Sequence, residues 1–328
     1  MNTLQDRRLA LQALAATVAG AAWPSAMAQS DWPKASAIKF IVPFTAGSGT
    51  DVLARTVGEK LGAALGTQVV IENKPGAGGT LGAALVAKAP ADGYTLLVHS
   101  SGHVVNPALY PKLPYDTLKD LAGITPLASL PNVLVVPPSN GIKDMADLVA
   151  RAKAKPGMFY ASAGNGSATH MNAEKFRVAA GISAQHVPFR GTPEAMTETI
   201  AGRMDWFFAP LVSALPLIKD GRLKALAVGT GKRSSVLPQV PTTVEAGVPG
   251  SEYLFWVGLF APAQTPAAVV DRLHDEVARI MGSADIKERL DKLGAEPFLM
   301  APSAFDKFLA DETAKTQQLV RAAGIKLN

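Results

Sequence analysis

The chain has 328 residues and a formal net charge of +5, with 48% hydrophobic and 18% charged residues. This length allows two domains, and the composition is that of a folded α/β protein, not a disordered one. The sequence contains no cysteine, which excludes disulfides, thiolate metal sites and a cysteine nucleophile. Lys and Arg never form a run of five or six, so the charge pattern does not indicate a nucleic-acid-binding protein.

The first 28 residues have the pattern of a secretory signal peptide. A basic start, MNTLQDRR, precedes the apolar run LALQALAATVAGAA, and Ala26-Met27-Ala28 forms a small-residue cleavage signal. The apolar run is too short for a transmembrane helix. The Arg7-Arg8 pair leaves both general secretion and the twin-arginine route open. We therefore predict an exported protein that is cleaved after Ala28.

From residue 38 onwards, apolar strands alternate with helices. The predicted strands of this first block are Ile38–Pro43, Gln68–Glu72, Tyr94–His99, Ala122–Leu127 and Asn132–Val136, and the helices are Thr50–Leu65, Thr80–Ala89 and Val104–Tyr110. Such alternation predicts a mostly parallel sheet that is covered by helices on both faces.

A proline-rich break at residues 137–141 precedes a second alternating block. Its predicted strands are Phe159–Ser162, Gln185–Pro188, Met204–Phe208 and Leu223–Val228, and its helices are Met145–Lys155, Thr169–Ala180, Val212–Lys219 and one that begins at Thr192. After an apolar strand at 254–261, only helices follow, at Ala267–Gly282, Asp285–Leu293 and 303–323. Helices alone cannot form a third α/β domain, so we expect them to return to the first sheet. This predicts two domains, 29–132 with 256–328 and 133–255, joined by two crossings around a cleft.

Two glycine-rich turns lie directly before helices. They are Phe44–Asp51, within IKFIVPFTAGSGTD, and Gly76–Gly79, within KPGAGG. The first N–H groups of a helix have no intrahelical acceptor and lie at the positive end of its dipole, so such turns favour anions such as phosphate or carboxylate.

Ligands of open α/β sheets bind beyond the carboxyl ends of the strands. The turns predicted at those ends are rich in Gly, Ser, Thr and Asn, and an arginine, Arg190, is present in only one of them. The turns are 44–51, 73–79, 100–103, 162–170, 188–191 and 209–210. We therefore predict a cleft that holds a small oxygen-rich anion mainly through neutral donors.

Catalytic patterns are incomplete in this sequence. Gly47-Ser48-Gly49 begins a dinucleotide-binding fingerprint, but Val52 occupies the position of the third glycine. His99 and His103 are four residues apart without an H-E-x-x-H motif, and neither a nucleophile elbow nor a phosphate-binding P-loop is present. These absences favour a binding protein, with an exported Rossmann-like enzyme as the alternative. For His170, packing or capping and ligand donation both remain open.

The segment VPFTAGSGTDVLAR resembles the opening motif PF-x-x-G-G-x-x-D-x-x-AR of the tripartite tricarboxylate transporter receptors, the TctC/Bug family of periplasmic solute-binding proteins. The likeness continues through VVIENKPGAGGTLGA, ASAGNGSATHMNAEKF and WVGLFAPAQTP, and it covers essentially the whole mature chain. The resemblance implies the α/β fold of a type II periplasmic binding protein, with two lobes joined by two crossover strands around a ligand cleft. It also implies a periplasmic location, no catalysis and no cofactor or metal.

The resemblance also implies which residues contact the ligand. The first two glycine turns are expected to hold one carboxylate through backbone N–H groups and waters, and the far lobe to supply side chains. Together with the turn after the third strand, the residues at these positions are Phe44, Ala46, Gly47, Ser48, Gly49, Thr50, Asp51, Gly76, Gly78, Gly79, Ser100, Ser101, Ser162, Asn165, Ser167, Thr169, His170, Arg190 and Ala209.

Two positions depart from the family pattern. Ser48 replaces a glycine of the first turn, where its hydroxyl either adds or blocks a contact. Ala209 stands where many members carry a polar or acidic residue, which disfavours an amino-acid ligand because no acid would hold its ammonium group. We therefore expect a di- or tricarboxylate or an aromatic acid, with an apolar body that contacts Trp206–Phe208.

The implied partners are the small carboxylate and the integral-membrane subunits of a transporter. We expect a monomer that does not bind nucleic acid. The alternative function is a ligand sensor that signals to a membrane kinase.

Overall fold

The computed structural model describes residues 32–325, so the predicted signal peptide lies outside the described residues. The first of two sheets has six strands in the order β11-β4-β10-β3-β1-β2. These strands are β1 (Ile38–Val42), β2 (Val69–Asn73), β3 (Thr95–Ser100), β4 (Leu121–Ser129), β10 (Trp256–Pro262) and β11 (Glu296–Pro297).

The second sheet has five strands in the order β7-β6-β8-β5-β9. They are β5 (Asn132–Val136), β6 (Met158–Ser162), β7 (Ala184–Pro188), β8 (Trp206–Pro210) and β9 (Lys224–Val228).

Ten α-helices connect and cover these strands within residues 32–325. They are α1 (Gly49–Leu65), α2 (Thr80–Ala87), α3 (Asn106–Leu109), α4 (Met145–Ala154), α5 (Ala168–Ala180), α6 (Thr192–Ile200), α7 (Leu211–Lys219), α8 (Ala267–Gly282), α9 (Ala284–Leu293) and α10 (Pro302–Ala323). We call the first sheet with α1–α3 and α8–α10 the first lobe, and the second sheet with α4–α7 the second lobe.

Both sheets are mixed, and most of their strands run in one direction, as predicted: β1–β4 in the first sheet and β6–β9 in the second. β1 is parallel to β2 and β3, and β6 is parallel to β7 and β8. β10 is antiparallel to β3 and β4, and β5 is antiparallel to β8 and β9. β5 and β10 are buried along their whole length, and a fully buried strand is a continuous apolar run whatever its direction. The sequence pattern therefore carries no information on their orientation.

The chain passes between the sheets at two segments that lie side by side. β4 and β5 are separated by Leu130 and Pro131, whereas residues 229–255 connect β9 to β10. The Leu130 N–H donates to the Phe255 carbonyl oxygen at 2.8 Å, which ties the two connections together. Two adjacent connections of this kind permit the lobes to rotate about a hinge.

The last helix completes the core of the first lobe. The Phe305 side chain is fully buried, and its ring centroid lies 5.7 Å from that of Trp256 and 5.4 Å from that of Phe260. The Gly123 N–H on β4 donates to Asp306 Oδ1 at 3.0 Å. α10 is therefore an integral part of the first lobe.

A hydropathy criterion identifies no bilayer-spanning helix among residues 32–325.

Replacing Phe305 by alanine should lower the free energy of unfolding by about 3–5 kcal/mol, because a buried ring is lost and a cavity remains. Urea denaturation followed by tryptophan fluorescence measures this change. Phe159→Ala is the matched control: Phe159 is 41% exposed, so its loss should change stability by less than about 1 kcal/mol. Equal effects of the two substitutions would contradict the packing of α10.

Candidate functional site

The two lobes meet backbone to backbone at the ends of their parallel strands. A β-carbon added to Gly78 in the first lobe would lie only 2.0 Å from the carbonyl oxygen of Asn165 in the second. One added to Gly102 would lie 2.9 Å from the Gly166 carbonyl oxygen. Only glycine fits such contacts, so these positions set how closely the lobes approach.

Hydrogen bonds also cross between the lobes. The Thr192 N–H donates to Ser48 Oγ at 3.2 Å, and Tyr110 Oη donates to the Asn165 carbonyl oxygen at 3.3 Å. Thr45 Oγ1 donates to Glu194 Oε2 at 3.0 Å, and Ser213 Oγ donates to the Gly47 carbonyl oxygen at 3.1 Å. The structure therefore shows the lobes in a closed arrangement.

A cavity of about 20 Å³ lies between the closed turns, where the N-termini of three helices converge. Its lining includes the first residues of α1, α5 and α6, which are 17, 13 and 9 residues long. The positive dipole ends and free N–H groups of these helices favour a negative charge at this point. The helix residues that line it are Gly49, Thr50, Ala168, Thr169 and Thr192, and the other lining residues are Phe44, Ser48, Ser100, Ala163, Ser167, Pro210 and Phe255.

A second cavity of about 130 Å³ adjoins the first, and Phe44 and Ala163 line both. It is bounded by Pro43, the turn Gly76–Gly79, Tyr110, the turn Gly164–Asn165 and residues 188–190. Among the described residues that line the two cavities, Arg190 is the one cation and none is acidic. The site therefore suits an anion and offers no carboxylate to an ammonium group.

Most of the predicted ligand-binding residues are brought together here. Those that line one of the two cavities are Phe44, Ser48, Gly49, Thr50, Gly76, Gly78, Gly79, Ser100, Asn165, Ser167, Thr169 and Arg190.

The other predicted residues do not line these cavities. Ala46 is exposed on the first turn, and the Gly47 carbonyl oxygen accepts a hydrogen bond from Ser213. Ser101 Oγ is hydrogen-bonded to Tyr253 Oη at 3.2 Å, and Ser162 Oγ lies 2.6 Å from His186 Nε2.

His170 lies behind the second-lobe turn, not in the cleft. Its Nδ1 accepts a hydrogen bond from the Gly166 N–H at 3.0 Å, and its ring faces a separate cavity.

The expectation that Trp206–Phe208 contact the ligand is wrong. These three side chains and Ala209 are fully buried in the core of the second lobe. Phe44, Phe255, Tyr110 and Phe189 line the cavities instead. Sequence reasoning missed Phe255 because it lies next to an apolar strand, where it has the appearance of a core residue. Thr192 was detectable from its place at a predicted helix start.

Asp51 holds the first turn in shape instead of facing the cavity. It is 1% exposed and accepts hydrogen bonds from the Gly47 N–H at 2.9 Å, from Asn73 Nδ2 at 2.8 Å and from Arg55 at 3.0 Å. Burial alone would raise the pKa of this carboxyl, but the hydrogen bonds from Arg55, Gly47 and Asn73 outweigh it and lower the pKa below the usual value. Asp51 is therefore a charged support for the N–H groups of the turn.

The two histidines singled out by their spacing are buried beneath the second glycine turn. The ring centroids of His99 and His103 are 5.3 Å apart, and burial lowers the pKa of His103 to about 4. A β-carbon on Gly79 would lie 2.4 Å from His99 Nε2, so this ring packs directly under the turn. Within residues 32–325, no three His, Asp or Glu side chains are placed to hold a metal ion.

The Asp51→Asn variant should be less stable than wild type by about 1–3 kcal/mol at neutral pH, because charge-assisted hydrogen bonds are lost. A carboxyl with a lowered folded-state pKa stabilises the protein above its ordinary pKa of 3.8 and loses this contribution as the pH falls through the folded-state value. The difference between the two proteins should therefore shrink below pH 3.8.

Thermal or urea unfolding across this pH range measures the effect. Asp311→Asn serves as control, because Asp311 is 57% exposed and pairs with Lys307 at 3.6 Å, so its change should stay within about 0.5 kcal/mol. A constant difference between wild type and Asp51→Asn at every pH would contradict a charged Asp51.

Comparison with known proteins identifies the family. Residues 53–325 match the model of the tripartite tricarboxylate transporter family receptor. A Pseudomonas sp. (strain P51) protein encoded between tcbD and tcbE is 38% identical over 285 residues, which cover 86% of this chain and 85% of that protein. BugT of Bordetella pertussis is 33% identical over 324 residues, with 98% of each chain covered.

Solved structures agree with this match. A protein described as a periplasmic transporter has a TM-score of 0.86 at 36% identity, over 90% of this chain and 100% of its own. An R. palustris protein solved with adipate has a TM-score of 0.87 at 34% identity, with coverages of 90% and 99%. MatC from Rhodopseudomonas palustris, with bound malate, has a TM-score of 0.82 at 32% identity, with coverages of 88% and 99%. The chain thus belongs to the TctC/Bug family of tripartite tricarboxylate transporter receptors, which are solute-binding proteins and not enzymes.

Proposed function

We propose that this receptor captures a small dicarboxylate between its lobes in the periplasm and delivers it to the membrane subunits of its transporter. The observation that carries the proposal is the convergence of the N-termini of α1, α5 and α6 on a cavity whose described lining has no acidic side chain. Such a cavity stabilises one carboxylate without a dedicated cation.

A second carboxylate is supported by Arg190. This guanidinium borders the larger cavity, which also contains the glycine turn 76–79 and the turn 164–165. A ligand with one carboxylate among the helix N-termini and another near Arg190 would fill both cavities. Adipate and malate, the ligands of two related structures, are both dicarboxylates.

The size and charge of the site disfavour other ligands. Cavities of about 130 and 20 Å³ are smaller than the 300–1,000 Å³ or so of a drug-sized pocket. An amino acid would bring an ammonium group into a site whose described lining has no acidic side chain, and that group would lose hydration without gaining an ion pair.

Capture follows from hinge closure. A ligand that touches both lobes binds the closed state better than the open one, and it shifts the population by that difference in affinity. The hydrogen bond from the Thr192 N–H to Ser48 Oγ favours the same closed state, by about 1 kcal/mol. The receptor is expected to act as a monomer, after cleavage behind Ala28.

Replacing Gly78 by alanine should weaken adipate binding at least about 100-fold, because the closed state becomes inaccessible. The added β-carbon would lie 2.0 Å from the Asn165 carbonyl oxygen. Calorimetric titration measures affinity, and small-angle scattering with adipate should show an open shape.

Gly181→Ala separates closure from backbone strain. Gly181 has φ +61, close to the +62 of Gly78, but a β-carbon there meets no atom within 4 Å. Both variants should lose similar stability, about 1–2 kcal/mol, while Gly181→Ala keeps wild-type affinity. Wild-type affinity in Gly78→Ala would refute closure at this contact.

Replacing Arg190 by glutamine should weaken adipate binding about fivefold, the loss expected for one exposed charge pair. Binding of hexanoate, which has the same chain length and a single carboxylate, should change less than about twofold. Thermal shifts, which rise as ln(1 + [L]/Kd), provide the measurement. Equal losses for both acids would place the second carboxylate elsewhere, and no shift with any dicarboxylate would overturn the proposed ligand class.

A further inference from the structure

A polar cavity of about 530 Å³ lies beside the ligand cleft. We call it the side cavity; its lining includes His170, Glu174, Arg177 and Gln185 of the second lobe and the end of α10. Asn165 and Pro188 line both the side cavity and the larger cleft cavity, so they form the wall between them. The proposed function of the cleft makes no use of the side cavity.

His170 presents a hydrogen-bond donor to the side cavity. His170 is 2% exposed, and its Nδ1 accepts from the Gly166 N–H at 3.0 Å. A neutral imidazole that accepts at Nδ1 carries its proton on Nε2. Burial, followed by the charge of Arg177, lowers the pKa of His170 to about 3, so the ring is neutral at physiological pH. Nε2 makes no hydrogen bond to the described residues, and His170 lines the side cavity, so Nε2–H is a donor available there.

Arg177 provides a second donor, while Glu174 beside it is paired with Arg177 and Tyr160 and keeps one free acceptor position, on Oε2. Glu174 accepts from Tyr160 Oη and from Arg177 Nε at 2.9 Å on one oxygen, and from Arg177 Nη2 at 2.7 Å on the other. Nη2 also donates to the Ala323 carbonyl oxygen at 3.0 Å. Nη1 is the guanidinium nitrogen that makes no hydrogen bond to the described protein, and Arg177 lines the side cavity.

We propose that the side cavity is a second oxyanion site, in which His170 Nε2–H, Arg177 Nη1 and the Gln185 amide bind a small anion such as sulfate, phosphate or a carboxylate. Gln185 lines the cavity with an exposed side chain, so its amide is available. Three donors around one polar space match an anion with several acceptor oxygens. All three belong to the second lobe, so opening of the cleft leaves them together.

Selenate tests the location directly. Crystals soaked in selenate should show an anomalous peak in the side cavity, within hydrogen-bond distance of His170 and Arg177. In solution, calorimetric titrations of the Gly78→Ala variant, whose cleft cannot close, with sulfate, phosphate and acetate in a buffer without other oxyanions should show one bound anion per protein. A preference for sulfate and phosphate indicates a tetrahedral ligand, and a preference for acetate indicates a carboxylate.

Two variants remove donors from the side cavity. Gln185→Ala changes an exposed side chain, and His170→Asn keeps an oxygen that can accept from the Gly166 N–H while removing the Nε2 donor. Each should weaken anion binding about tenfold or more, the effect of one hydrogen bond to a charged group. Gly78→Ala, which blocks the cleft, should leave anion binding unchanged, because Gly78 is outside the donor set.

Three results would overturn the proposal. One is the absence of both a selenate peak and any binding heat. Another is anion binding that disappears in Gly78→Ala but persists in His170→Asn, which places the anion in the cleft. The third is wild-type anion affinity in both Gln185→Ala and His170→Asn, with His170→Asn shown to be folded. If a selenate peak is present but adipate does not bind, the proposed cleft ligand is refuted and the side-cavity site is not.

Discussion

The tightest structural constraint in this receptor is the backbone-to-backbone contact between the lobes across the cleft. Gly78 faces the Asn165 carbonyl oxygen, and Gly102 faces that of Gly166, at separations that no side chain tolerates. Because the lobes close on bare backbone, the polar groups nearest the ligand are mostly main-chain N–H groups and short hydroxyls. The ligand space that remains is small, and it lies where the helices begin.

Ser48 shows how one substitution changes this arrangement. Where the family motif has glycine, the Ser48 hydroxyl accepts the Thr192 N–H at 3.2 Å. One donor of α6 is therefore satisfied by protein instead of ligand, and so is the third N–H of α5, which donates from His170 to Ser167 Oγ at 3.3 Å. Ser48 thus adds a contact between the lobes and leaves α6 with one N–H fewer to offer an anion.

Sequence patterns predicted the elements of this fold better than their directions or contacts. The two glycine turns and the helix starts could be predicted from the sequence because turn preferences are local. Gly78 and Gly79, for example, both adopt the positive φ that favours glycine. The antiparallel direction of β5 and β10 could not be predicted from the sequence, because a buried strand has no alternation of polar and apolar residues. Trp206–Phe208 were placed at the ligand from the sequence, yet they fill the core. Only the tertiary structure shows that these aromatic side chains lie in the core, whereas Phe255 borders the cavity.

The polar residues of the family motifs consequently have two separate roles. Arg190 and Thr169 face the ligand space, whereas Asp51 and His170 stand behind the turns and fix Gly47 and Gly166 through their N–H groups. A helix N-terminus binds an anion only while its turn holds the N–H groups in a fixed direction. The residues behind the turns therefore set how tightly any carboxylate is bound, and the residues that line the cavities set which carboxylate is bound. A change of ligand between relatives is expected at the lining positions, with the supports behind the turns left unaltered.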